Sequence, residues 1–102
     1  MMLISFRSRL TAQAGADYDE TAAEMERLAR ATPGFIEVKA FRADDGERLT
    51  LVWWKDAQTL KGWATNARHL VAQRMGRERW YEYYKIEVAE VVRDSRFERP
   101  QD

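Results

Sequence analysis

The sequence predicts an α+β domain in which four strands and two helices follow in the order β-α-β-β-α-β. Two kinds of spacing predict it. Four segments either alternate apolar and polar residues or carry short runs of large apolar residues, as strands do. Two other segments repeat apolar residues at intervals of three and four, as amphipathic helices do. The 102 residues are enough for one domain.

The first strand and the first helix come from the opening third of the chain. Apolar and polar residues alternate over 3–10, which puts Ser8 on the same side as Ile4. Asp17 is predicted to cap a helix over 18–31 as the first residue of a capping box. The proline and glycine that follow at 33 and 34 are typical of a helix end.

The remaining elements repeat the pattern. Strands are predicted over 35–42 and 48–54, joined by the hairpin signal of an Asp-Asp-Gly turn. Asp56 is predicted to cap a second helix that continues to about Trp80, and the last strand is predicted over 83–92. This order is that of the ferredoxin-like split βαβ motif, a four-stranded antiparallel sheet with helices on one face.

Composition narrows the class of protein. Seventeen basic and seventeen acidic residues cancel, which argues against a nucleic-acid binder or a protein of anionic membrane surfaces. No apolar run reaches the length of a membrane span. The absence of cysteine excludes thiolate metal sites and is compatible with the cytoplasm, where we expect the protein. We expect a single domain over 1–102, with its core at about 2–93 and a polar tail over 94–102.

The sheet predicts a partner. The strand over 48–54 is apolar on both faces, and helices can cover only one of them. A chain of this length gains stability by burying the other face against a second copy of itself. We therefore expect a homodimer.

Three groups of residues resemble one family. They are Pro33-Gly34-Phe35, then Trp54-x8-Trp63, then His69-x3-Gln73-x2-Gly76-Arg77-x2-Trp80-Tyr81. This pattern resembles the antibiotic biosynthesis monooxygenase (ABM) superfamily of dimeric α/β-barrel proteins, over roughly residues 2–93.

The resemblance implies a homodimer with facing sheets and a pocket between sheet and helices in each protomer. Some members are cofactor-independent oxygenases of polycyclic phenols, and others degrade heme. The function it implies here is a cofactor-independent monooxygenase acting on a small or polycyclic aromatic substrate, with no cofactor and no metal. The alternative is a dimer that binds a small molecule without catalysis, since a fold does not fix a function.

Heme degradation is the less favoured version of that activity. The resemblance implies that heme-degrading members carry an Asn on the first strand, a Trp on the helix after the third strand, and a His ten residues further on. Trp63 matches the Trp, but Ser8 stands at the Asn position and Gln73 at the His position.

Six residues are candidates for the site. His69 is the only side chain that ordinarily titrates near neutral pH, so it is the candidate catalytic base. The candidates for substrate binding are Trp54, Trp63, Ser8, Gln73 and Trp80. The tryptophans and the histidine have plainer alternatives: the tryptophans as ordinary core, and His69 on the solvent side of its helix. The apolar stripe of that helix favours the latter, since it is formed by Ala67, Leu70, Val71 and Met75.

Overall fold

The computed structural model describes residues 1–74 and 76–101. The elements in chain order are β1 (Met2–Leu10), α1 (Ala16–Ala31), β2 (Phe35–Arg42), β3 (Arg48–Trp54), α2 (Ala57–Gln73), the short α3 (Gly76–Arg79) and β4 (Tyr81–Glu90). The strands form one sheet in the order β2-β3-β1-β4, and all of its pairs are antiparallel. The predicted α+β class and its ferredoxin-like sheet are confirmed.

Strand pairing sets the two faces of the sheet. Ile4 of β1 lies opposite Val52 of β3 on one side and opposite Val88 of β4 on the other. Cross-strand partners point to the same face, so these three side chains share one surface. Ile4 and Val52 are buried in a core that also contains Ala29 of α1 and Leu60 of α2. Both helices therefore cover this face, which we call the inner face.

No helix or strand of the described residues covers the opposite, outer face. Alternation places Leu3, Leu49, Leu51 and Trp53 on it, and all four are half-buried by their neighbours within the sheet. Phe41 at the end of β2 extends this apolar surface and is exposed.

A bulge in β2 overturns one detail of the predicted alternation. Phe35 pairs with Trp54, but Glu37 pairs with Trp53, so Ile36 is an extra residue in the strand. Phe35 and Val38 consequently both face the helices, and Ile36, which strict alternation would put on the same face as Val38, is 49% exposed. Alternation of apolar and polar residues assumes an unbroken strand, so it does not predict a bulge.

The start of α1 also differs from its prediction. The helix begins at Ala16 with Gly15 at the cap position, and no side chain caps it. The carboxylate of Asp17 accepts a hydrogen bond from the indole N–H of Trp80 at 3.0 Å and pairs with Arg79. The capping box is wrong because the tertiary partners from the far end of the chain take up this carboxylate.

The second helix ends earlier than predicted. Asp56 caps α2 as expected, its carboxylate accepting from the backbone N–H of Thr59 at 2.9 Å. The helix stops at Gln73, and Arg74 turns back to α1, where it donates to Thr21 and Glu24. The chain then forms α3, and β4 starts at residue 81 rather than 83. Met75, predicted to continue the apolar stripe, and Asp102 in the tail lie outside the described residues.

Candidate functional site

A cavity of about 970 Å³ lies between the inner face of the sheet and the two long helices. That volume falls in the upper range of small-molecule pockets. Each strand contributes to its floor, and α1 and α2 form its roof. The resemblance implied a pocket in this position.

Most of the wall is apolar. Small side chains on the helices leave the space open, because alanines stand where larger residues would fill it. The apolar wall residues include Ile4, Phe6, Val38, Val52 and Ile86 from the sheet, and Ala22, Met25, Ala64, Ala67 and Val71 from the helices. Such a surface suits a flat hydrophobic ligand.

Trp63 is the aromatic side chain fixed in the roof. Its indole N–H donates to the backbone carbonyl of Met25 at 3.0 Å, which ties α2 to α1. Its ring lies 5.5 Å from the ring of Trp54, inclined by 32°. Trp63 therefore lines the cavity in a fixed orientation, and Trp54 supports it from the core.

Polar side chains gather at one end of the cavity. Ser8 of β1 lies opposite Arg48 of β3 and opposite Tyr84 of β4. The guanidinium carbon of Arg48 lies 5.8 Å from the ring centre of Tyr18, which reaches this end from α1. Tyr81, at the start of β4, completes the group. We call these five residues the polar end.

The hydroxyl groups of the polar end are free to bind a ligand. Within the described part of the chain, neither Ser8 nor any of the three tyrosines Tyr18, Tyr81 and Tyr84 has a side-chain hydrogen-bond partner. Yet Ser8 is 2% exposed and Tyr81 is 8% exposed. Neither hydroxyl is among the completely buried side-chain atoms that lack a partner; both residues line the cavity, where a ligand can reach their hydroxyl groups.

Burial fixes the ionisation state of Tyr81. Removal from water raises the pKa of its phenol, and the neighbouring Tyr18 and Tyr84 add to the effect. Arg48 acts in the opposite direction without reversing it. Tyr81 therefore remains a neutral phenol at physiological pH, a hydrogen-bond donor rather than a base.

The structure separates the six predicted site residues. Ser8 and Trp63 line the cavity. Trp54 and Trp80 are completely buried but lie outside its wall. Trp80 instead packs edge-on against Tyr18, and its indole N–H donates to Asp17.

His69 and Gln73 are exposed and do not contact the cavity. The phase of α2 explains this, since Trp63, Ala67 and Val71 take its inward side. The catalytic role of His69 and the binding roles proposed for the other five residues stay predictions.

Of the polar end, the six sequence-based candidates include only Ser8; they leave out Arg48, Tyr18, Tyr81 and Tyr84. Arg48 was recognisable in principle, because alternation along β3 puts it on the same face as Val52 and Trp54. Its position beside Ser8 follows only from the pairing of β1 with β3, which the sequence does not state.

The described lining of the cavity offers no histidine, cysteine or methionine suited to the axial position of a heme iron except Met25, which lines the roof of the cavity. Its described lining contains no histidine and no cysteine, and His69, the only histidine of the chain, lies outside it. Tyr81 is held in its neutral form, which disfavours a phenolate ligand. The residues present therefore do not fit a resident heme. Across residues 1–74 and 76–101 there is also no cluster of three metal-binding side chains, and no helix there is long and apolar enough to cross a membrane.

Comparison with known proteins agrees with this architecture. The chain is 37% identical over 81 residues to the uncharacterised protein YqjZ of Bacillus subtilis strain 168, a match covering 79% of this chain and 71% of YqjZ. Among solved structures it resembles a mutant of SnoaB, a cofactor-independent oxygenase from Streptomyces nogalater, at 13% identity and a TM-score of 0.71. That match covers 91% of this chain and 94% of SnoaB.

A second solved structure is a mutant of MhuD with two manganese protoporphyrin IX molecules in each active site. It matches at 17% identity and a TM-score of 0.67, covering 95% of this chain and all of the MhuD chain. At such low identity, both structural matches establish the fold alone. The family model for antibiotic biosynthesis monooxygenases matches residues 1–75, and this chain belongs to that family.

Proposed function

We propose that this protein is a cofactor-independent monooxygenase that oxidises a small or polycyclic aromatic substrate in the cavity between sheet and helices. The observation that carries the proposal is the combination of a largely apolar cavity of about 970 Å³ with unpartnered polar groups at one end. The apolar wall would hold the rings and exclude water, and the polar end would orient the oxygen-bearing edge.

The chemistry needs no external reductant. An anthrone-type substrate has a CH2 group beside its aromatic rings, and loss of one of its protons to solvent gives an electron-rich anion. That anion gives electrons to O2, one oxygen atom is retained as a carbonyl, and the other leaves as water. All four electrons taken up by O2 come from the substrate, so atoms and electrons balance without flavin or metal.

The residues would act through position and charge. Trp63 would form one flat wall, and Ser8 and Tyr81 would donate hydrogen bonds to the substrate oxygen. A dry site strengthens each of these interactions. His69 was the sequence-based candidate for the base, but its exposed position gives that role no support.

We also propose that the working form is a homodimer in which two outer faces pack together. The apolar side chains of β1 and β3 on that face, with exposed Phe41, would otherwise leave an apolar patch larger than is usual for a monomer. Sedimentation should give twice the 12.0 kDa chain mass. A charged residue in Leu51→Asp should produce monomers, and a wild-type monomer at micromolar concentration would refute the assembly.

Oxygen uptake tests the activity. Purified protein with chelator and without flavin should consume O2 with at least one member of a panel of naphthols and anthrones. Ala67→Phe, which fills the cavity from α2, should abolish uptake. Ala57→Phe introduces the same side chain at an exposed position of the same helix and should not.

A different result favours the alternative, a non-catalytic dimer that binds a small molecule. In that case the panel would bind, Ala67→Phe would prevent binding, and no O2 would be consumed. Binding unaffected by Ala67→Phe would refute both functions at this cavity.

A further inference from the structure

We propose that the substrate carries a negative charge on oxygen, as a phenolate, enolate or carboxylate, and that Arg48 of the polar end binds it. This rests on the proposed function for the location of the ligand, and it adds the charge class of the ligand and the residue that selects it.

Arg48 lies in the wall of the cavity and has no counter-ion in the described part of the chain. None of the ion pairs formed by residues 1–74 and 76–101 includes it. The side chain is half-buried and stands on the inner face of β3. A partly desolvated guanidinium normally acquires an anionic partner, and the cavity is the space from which that partner would come.

The neighbours of Arg48 increase the demand for an anion. Its cross-strand partner on β2 is Arg42, a like charge directly opposite, and its partner on β1 is the neutral Ser8. Like charges in such a pair repel and destabilise the sheet. An anion bound by Arg48 would relieve this repulsion.

The charge balance of the whole cavity points the same way. The chain is neutral overall, but the described lining has four basic side chains and two acidic ones. The basic residues are Lys39, Arg48, Arg68 and Arg77, and the acidic residues are Asp19 and Glu26. Of these six, only Arg48 is not exposed to solvent, so it is the charge that a bound ligand would meet inside.

The groups around Arg48 fit an oxygen anion. Ser8 lies beside it with a hydroxyl that has no partner in the described chain, and Tyr81 is a neutral phenol that donates. A planar guanidinium and two hydroxyl donors match an anionic oxygen at the edge of a ring system. The guanidinium also lies over the ring of Tyr18, 5.8 Å from its centre, where a cation–π interaction is favourable.

Equilibrium binding of matched ligands tests this independently of oxidation. We would titrate the protein with 2-naphthoate and with 2-naphthamide, which has a similar shape and no charge, and follow tryptophan fluorescence. The wild type should bind the carboxylate more tightly by roughly 10- to 100-fold, the range of a charge-assisted hydrogen bond. Neither ligand is oxidised by the proposed chemistry, so the outcome does not depend on turnover.

Three variants locate the effect. Arg48→Gln should remove the preference and leave binding of the amide unchanged, and Arg48→Lys should retain part of it because the charge remains. Arg27→Gln makes the same charge change at an exposed position of α1, outside the cavity wall, and should keep the wild-type preference. Melting curves confirm that each variant is folded.

Two results overturn the proposal: a wild type that binds the carboxylate no better than the amide or binds neither, and an Arg48→Gln variant that keeps the full preference. The second result would assign the preference for the carboxylate to the exposed arginines of the lining, Arg68 and Arg77.

Discussion

Replacing Trp54 should be the most damaging single substitution in the sheet. The side chain is completely buried at the end of β3, between the sheet and both helices. Its ring lies 5.8 Å from that of Phe35 in an edge-on arrangement and 5.5 Å from that of Trp63. Its indole nitrogen has no hydrogen-bond partner among the described residues.

The size of the effect follows from these contacts. A buried tryptophan removes about 150–250 Å² from water, which at about 25 cal/mol per Å² corresponds to roughly 4–6 kcal/mol. This is an upper value because the unfolded chain already buries part of that surface. Trp54→Ala should therefore lower the free energy of unfolding by about 3–5 kcal/mol. Trp54→Phe should cost only about 1–2 kcal/mol, because the ring contacts remain and no hydrogen bond is lost.

Urea unfolding followed by far-ultraviolet circular dichroism measures both changes. All variants are compared at one protein concentration, because association makes stability depend on concentration. Ile36→Ala, at an exposed position in the bulge of β2, is the control and should stay within about 0.5 kcal/mol. If Trp54→Ala lowers the free energy of unfolding by less than about 1 kcal/mol, Trp54 does not point towards the helices as described. Equal losses in the two Trp54 variants would show that the indole N–H has a partner after all.

Three further predictions concern the turn at Gly34, unfolding at acid pH through Asp17, and the catalytic role of His69. Gly34→Ala should destabilise the fold, since φ is +96° there and a Cβ atom would lie 2.6 Å from the side chain of Thr59. Thermal melting measures this loss of stability, and an unchanged melting temperature would contradict the prediction. The hydrogen bond from Trp80, aided by Arg79, lowers the pKa of Asp17. The ionised Asp17 therefore stabilises the fold above the ordinary carboxyl pKa of about 3.9, and this stability is lost as pH falls through the lower pKa of the folded state. Asp17→Asn should flatten the acid unfolding curve. A curve as steep as that of the wild type would show that another carboxylate is responsible. Because His69 is exposed outside the cavity, His69→Ala should change kcat by less than about twofold, whereas a loss of about 10²- to 10⁴-fold would establish it as a general base.

The sequence by itself determined the four strands, the two long helices and their order. Alternation and helical spacing are local properties, so they placed β2 and β3 with their observed bounds and the cap of α2 at Asp56. The apolar character of β3 on both sides also indicated that each face of the sheet needs a cover. The tryptophan spacing led to the family, which the match over residues 1–75 confirms.

Only the tertiary structure decided which residues meet. Asp17 became a partner of Trp80 because the chain returns to α1 after 63 residues, a closure that no local pattern encodes. The pairing of β1 with β3 brings Arg48 beside Ser8. His69 lies on the exposed side of α2, away from both residues. The residues of the site come from distant parts of the chain and surround a cavity. Local sequence spacing predicts only which way a side chain points from its own helix or strand.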